Sequence, residues 1–197
     1  MGNARAAIGL LVIFTKVSSA AIAGKRSTGV AEKGKKMSKA VLISIKPEWC
    51  EKIARGIKTV EVRKTKPKIE TPFKCYIYCT NDRKNHFWTG KRYSYADERS
   101  HNAFDKDGNG KVIGEFTCDR IIDVDCDSIA PFDKSTGIYI DKQCCLSREE
   151  LWKYTGGHCA HGWHILELKI YNDQPKALSK FGLTRPPQSW CYVEQEG

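Results

Sequence analysis

Long apolar runs are missing from this chain. The longest lies near the start, Ala6–Phe14, nine residues after a single Arg5. That is too short for a membrane span, so no membrane partner is expected. Paired C-x-x-C cysteines are missing too, although there are nine cysteines, an odd number. Several of them sit inside apolar stretches (Cys75, Cys79, Cys118, Cys191), where a free thiol acts as a small hydrophobe. A disulfide framework would leave one thiol over, so a reducing, cytoplasmic setting is expected. Internal repeats are absent, and so is the strand–helix–strand rhythm of a parallel α/β sheet.

Acidic residues are scarce at the start of the chain. Residues 1–36 hold seven basic residues against one acid, Glu32, and so carry +6 of the net +10; residues 37–197 hold 26 basic and 22 acidic. More than half of the basic excess therefore belongs to a tail. Ala21-Ile22-Ala23 after the apolar run imitates a cleavable signal, but export would conflict with the cysteines. Gly24–Lys36 has the composition of a disordered linker. Met37 stands directly before the first convincing strand. The expected organisation is a basic tail over 1–36, with translation starting at Met37, and one folded unit over 37–197. Intact mass of the native protein tests the start.

The folded part, with 41% apolar residues over the whole 197-residue chain, can form a real core. KAVLISIK (Lys39–Lys46) alternates as a strand. Pro47 suits a first helical position, Trp49, Cys50 and Ile53 form an apolar stripe, and Gly56 stops the helix. Thr59–Arg63 reads as strand two and Phe73–Cys79 as strand three. Lys111–Val124 reads as strand four, bent near Cys118–Arg120. Ser147-x-x-Glu150 is a capping box opening a helix through Tyr154. His164–Tyr171 and Ser189–Val193 complete the strands. Residues 81–110 lack any clear period, which marks a long loop, functional or disordered. Short strands with two small helices predict a mainly β, α+β fold, a small antiparallel barrel.

The richest stretch is RGIKTVEVRK, Arg55–Lys64. Alternation puts Val60 and Val62 on one side, read as core, and Thr59, Glu61 and Arg63 on the other. A carboxylate beside a guanidinium fixes the geometry of both. Lys58 has the wrong parity for that face and joins it only from the turn after Gly56. Lys52–Lys68 holds seven basic residues and Glu61 alone among acids, which suits phosphate. Downstream, Arg83–Tyr95 mixes Arg83, Lys84, Lys91 and Arg92 with Phe87, Trp88, Tyr93 and Tyr95. Bases stack on such aromatics while cations hold the backbone.

Two metal-like patterns fall short. Asp105–Gly110 imitates a calcium loop, but Phe116 stands where its glutamate belongs, so it reads as a turn. His158, Cys159, His161 and His164 with Cys144-Cys145 lack zinc-site spacing, and His164 reads as a hydrogen-bonded strand residue. No metal and no cofactor is expected.

Gly56-x-Lys58-x-x-Glu61-x-Arg63, after a helix that itself follows the first strand, resembles the G-x-K-x-x-E-x-R signature of ASCH domains, part of the PUA-like superfamily. The resemblance extends over LISIKPEWCEKI, FKCYIYC, KVIGEFTCDRI, GWHI and RPPQSWCYVEQ. The last two are most similar to the branch common in phages and gut bacteria. It implies a PUA-like barrel with a cleft floored by the signature residues, and binding of RNA or a modified nucleoside. One branch hydrolyses the acyl amide of N4-acetylcytidine, and ribonuclease activity is associated with others. The match to the hydrolytic branch holds at Gly56, Lys58, Thr59 and Arg63 and departs at Glu61, where that branch carries threonine. A hydrolytic version here would use Lys58 as base, with Glu61 or Glu115 passing the proton. The binding version uses Lys58, Arg63, Lys64, Lys66, Arg83, Lys84, Trp88, Lys91 and Arg92. A third reading is a protein-interaction module. Oligomeric state is not encoded in any of these patterns.

Overall fold

The computed structural model describes residues 38–89 and 106–195. In chain order the elements are β1 (Lys39–Ile45), α1 (Pro47–Ala54), β2 (Val60–Arg63), β3 (Phe73–Cys79), β4 (Trp88–Thr89), β5 (Lys106–Asp107), β6 (Lys111–Cys118) and β7 (Ile121–Asp125). They continue with β8 (Phe132–Asp133), β9 (Ile138–Tyr139), α2 (Asp141–Cys144), α3 (Arg148–Thr155), β10 (Ala160–His164), β11 (Leu166–Ile170), a 3₁₀ turn (Leu178–Phe181) and β12 (Trp190–Glu194). The fold is mainly β with short helices, as the patterns predict.

Two five-stranded sheets carry it, one in the order β11-β6-β3-β1-β12 and the other β2-β10-β7-β8-β9. The pairing is mainly antiparallel, as expected, with β1 parallel to β3, and the two sheets are not joined into a closed ring. The parallel pair follows from the connection: between β1 and β3 the chain makes α1 and then β2, which belongs to the other sheet.

Apolar side chains separate into three clusters. The largest lies between the sheets and includes Val41, Ile43, Ile77, Phe116 and Trp163. A second, with Val60, Val62, Ile122, Val124, Cys144 and Leu151, fills the space between the second sheet and helices α2 and α3. The third covers the far face of the first sheet with Leu42, Tyr76, Tyr78 and Phe181. Hence Ala40–Ile45 of β1 is buried on both faces. Six of the nine cysteines, Cys50, Cys75, Cys79, Cys118, Cys126 and Cys144, are buried in this packing as small apolar groups. Burial pushes the Cys50 and Cys75 thiols well up and that of Cys118 to about 12, which keeps them protonated and unreactive.

Two runs that read as single strands are each cut where the chain changes sheet. The first breaks between Cys118 and Ile121, and the second at Ile165, with Glu167 at φ 52 and a bulge before Lys169. The two crossings are tied together, for His164 Nδ1 lies 2.5 Å from Asp119 Oδ1. Asp119 is partly desolvated, which alone would raise its pKa, but His164 outweighs that and holds it below the ordinary carboxylate value. A carboxyl lowered on folding stabilises the fold above its unfolded pKa of about 3.9, and that stability is lost as pH falls through the lowered value. Asp119→Asn should therefore flatten the acid limb of the stability curve below about pH 4, read from urea midpoints at stepped pH. An unchanged acid limb would remove the crossing lock from the account.

Helix α3 begins as its capping box predicts, with Ser147 Oγ accepting from Glu150 N and Glu150 Oε2 accepting from Ser147 N at 2.8 Å. Downstream of β3, Asn109 organises the loop start. Its Oδ1 accepts from Phe87 N at 3.1 Å, and its Nδ2 donates to the carbonyls of Asp82 and Asn85. Asn109-Gly110 is a turn, as the sequence pattern predicts. Gly110 has φ +75, and a Cβ there would stand 2.7 Å from Asn81 Oδ1, so only glycine fits. No helix among the described residues is long and apolar enough to cross a membrane.

Candidate functional site

A cleft of about 320 Å³ opens over β2, between α1 and α3. Its floor is the signature stretch. Gly56 at φ +70 turns the chain out of α1, and the backbone of Ile57 and Lys58 closes back on Lys52 O. That turn re-aims Lys58 toward the face that strand parity would deny it. Lys58 Nζ donates to the Cys144 carbonyl and lies 3.4 Å from Glu61 Oε2. Arg63 Nη2 meets Glu61 Oε1 at 2.9 Å and also donates to Ser44 O at 2.6 Å, which ties β2 to β1 of the other sheet.

All three charged side chains are buried, at 2% exposure for Lys58, 6% for Glu61 and 8% for Arg63. The parity reading of β2 is right about which residues share a face. It is wrong about which face meets the main core. Glu61 is the cross-strand partner of Trp163, a member of the inter-sheet cluster, whereas Val60 and Val62 pack toward the helices. A two-sided burial follows because α2 and α3 cover the outer face of this sheet.

The walls are aromatic and mixed in charge. Trp49 of α1 lines one side, with Lys58 Nζ 5.0 Å and Lys52 Nζ 4.5 Å from its ring centre. Tyr154 of α3 lines the other, and Lys64 Nζ sits 5.4 Å from its ring centre. Lys46, Glu48, Glu150 and Lys153 complete the rim. Glu150 is held below the ordinary carboxylate range chiefly by the Ser147 backbone N–H of the capping box, with Lys52 and Lys58 adding to it.

The remaining predicted residues divide. Lys64 reaches the rim through Tyr154, and exposed Lys66 lies 3.6 Å from Asp123. Arg83 and Lys84 are exposed and Trp88 is half-buried, its ring stacked on His86 at 5.9 Å; none of them lines the cleft. Their segment does start beside it. Thr80 N donates to Ile45 O, and Lys46 acts electrostatically on Asp82. Lys91 and Arg92 lie outside the described residues, as does the 1–36 tail.

Glu115 is not brought to the site. It pairs across strands with Tyr76, on the face of the first sheet turned away from the other sheet. There it bonds Lys74 Nζ at 3.0 Å and accepts from Tyr171 Oη. Desolvation would raise its pKa, but those two partners and Lys169 bring it below the ordinary value. A proton relay from Lys58 cannot use it. The zinc-like group is also dispersed, with His161 on Asp123 and His164 on Asp119, and no cluster fit for a metal occurs among the described residues.

Sequence reasoning missed the walls. Trp49 was legible as part of a helical stripe but reads there as core, and Leu146, Lys153 and Tyr154 carry no signal until α3 is placed beside β2.

Solved structures of ASCH from Zymomonas mobilis have this architecture: the native protein superposes with a TM-score of 0.53 at 20% identity, over 79% of this chain and 88% of that one. The fold is ASCH-like. A tyrosine-to-phenylalanine variant of the same ASCH protein gives a TM-score of 0.52 at 19% identity, over 79% and 91% of the two chains. A serine-to-alanine variant gives 0.52 at 19% identity, over 79% and 89%. No protein-family model matches the chain, and no curated protein matches it in sequence.

Proposed function

We propose that this protein binds single-stranded RNA or a nucleotide, with one base held in the ASCH-like cleft. The observation that carries the reading is the union of a buried Lys58–Glu61–Arg63 triad with two aromatic walls in one cleft. Aromatic faces take a base by stacking, and buried charged groups read its edge. Lys64 beside Tyr154 is placed to meet a phosphate as the strand leaves the rim. Exposed Arg83 and Lys84, with Trp88, extend the basic and aromatic surface along the loop that starts next to Lys46.

Binding is favoured over hydrolysis by how Lys58 is used. Its amine is occupied by the Cys144 carbonyl and faces the Glu61 carboxylate, which are partners for a cationic donor. Hydrolysis of a modified pyrimidine remains the second reading because Lys58 does reach Glu61, the geometric condition for a base and its proton acceptor.

Fluorescence anisotropy of labelled single-stranded RNA oligonucleotides, titrated with the full chain at several salt concentrations, tests the proposal. Affinity should fall with salt. Lys64→Ala should lower the salt slope by about one contact and Trp88→Ala should weaken binding by about 1–3 kcal/mol. Acetate release from N4-acetylcytidine that disappears in Lys58→Ala would replace this reading with the hydrolytic one. No affinity at low salt would leave a protein-interaction module.

A further inference from the structure

Three buried side-chain atoms among the described residues have no hydrogen-bond partner: Glu61 Oε2, Arg63 Nε and Trp163 Nε1. Such atoms are scarce in folded proteins, because each has lost water and gained nothing. Here they gather at one place. Glu61 and Arg63 share a face of β2, and Trp163 stands opposite Glu61 on β10. Both β2 residues are more than nine-tenths buried and line the cleft.

The ion pair between them uses one contact, Oε1 to Nη2. Oε2 shares its carbon with Oε1, and Nε shares its carbon with Nη2. One unused acceptor and one unused N–H donor therefore flank a single ion pair. Lys58 Nζ stands 3.4 Å from this acceptor, an ion pair that offsets the charge of the carboxylate but makes no hydrogen bond to Oε2.

We propose that the floor reads an uncharged edge bearing an N–H beside an acceptor, the Watson–Crick edge of a nucleobase unmodified there, and that it rejects phosphate. This rests on the nucleotide-binding reading, which puts a base in the cleft, and adds which edge of that base the floor reads. A phosphate offers acceptors only. It would suit Arg63 Nε but would set a negative oxygen against Glu61 Oε2, a like-charge contact in a dry site. A base edge such as O4 and N3–H of uracil, or N1 and N6–H of adenine, carries side by side the acceptor and the donor that the two orphan atoms lack. The charge of the lining agrees. Lys46, Lys58, Arg63 and Lys153 are nearly balanced by Glu48, Glu61 and Glu150, which suits a neutral group better than an anion.

The test is calorimetric titration of the full chain with the four ribonucleosides. Each is paired with a neutral counterpart blocked at its edge: N3-methyluridine, N1-methylguanosine, N6,N6-dimethyladenosine and N4,N4-dimethylcytidine. Sodium pyrophosphate serves as competitor, and the RNA anisotropy assay runs alongside. At least one plain nucleoside should bind, its blocked form should bind about 10- to 100-fold more weakly, and pyrophosphate should not displace it. Equal binding of plain and blocked forms, or displacement by pyrophosphate, would overturn the inference. RNA binding with no response to any nucleoside would also overturn it while leaving the RNA reading intact. No binding of RNA or nucleoside would end both.

Discussion

Glu61→Ala should destabilise the protein by about 3–5 kcal/mol, the cost of leaving buried charge without its partner. Lys58 and Arg63 are 2% and 8% exposed, and each has Glu61 as its ion-pair partner. The carbonyls of Cys144 and Ser44 would still accept from them, but a carbonyl does not neutralise an ammonium or a guanidinium. Urea denaturation with a common m-value measures the loss, and a change below about 1 kcal/mol would mean that both cations find water when Glu61 is gone. A companion variant separates stability from function. Lys58→Met, Glu61→Leu and Arg63→Met together should leave stability within about 1–2 kcal/mol of the parent, since apolar side chains of similar volume often replace a buried ion cluster without loss. The same triple change should abolish binding in the cleft. A stable protein that no longer binds would identify the triad as retained for its ligand.

Trp163→Ala carries the second large effect, about 3–5 kcal/mol of stability. The side chain is fully buried in the inter-sheet cluster. Its ring meets Phe73 edge-on at 5.8 Å and Trp190 at 5.9 Å, joining β10 of one sheet to β3 and β12 of the other. Alanine would open a cavity that neither sheet can close by shifting one side chain. Trp163→Phe should cost much less, about 1–2 kcal/mol, because it keeps most of the ring and removes an N–H that has no partner. Thermal unfolding of the two variants side by side checks the pair. Equal losses would assign the indole N–H a bond that its surroundings do not otherwise supply.

Much of this architecture was readable in the chain, for identifiable reasons. The capping box placed α3 because two reciprocal bonds need Ser147 and Glu150 at that spacing. Pro47 and Gly56 bounded α1 because proline fixes φ at the helical value and glycine alone takes the positive φ of the turn that ends it without strain. Alternation put Glu61 and Arg63 together. What alternation cannot express is which sheet a strand joins. Lys111–Val124 and His164–Tyr171 keep their period through a change of sheet, so each read as one strand where there are two. The same blindness misassigned Val60 and Val62 to the main core and offered Glu115 as a relay. β2 is buried on both faces, and Glu115 sits on a face that only the pairing of β6 with β3 reveals. The cleft walls were the least legible part, since Trp49 and Tyr154 meet across the floor only once α1 and α3 are in place.

The loop anchored by Asn109 has a further consequence. Trp88 pairs with Asp107 and Thr89 with Lys106, so the chain leaves and re-enters the body through a two-stranded neck whose base Asn109 fastens. Thr89 and Lys106 are thus held opposite each other by the neck's own pairing. Length changes there cost only slowly growing closure entropy, about 0.6 kcal/mol per doubling. The position is a natural grafting port: a segment of another length can be spliced between Thr89 and Lys106 while the two sheets keep their register.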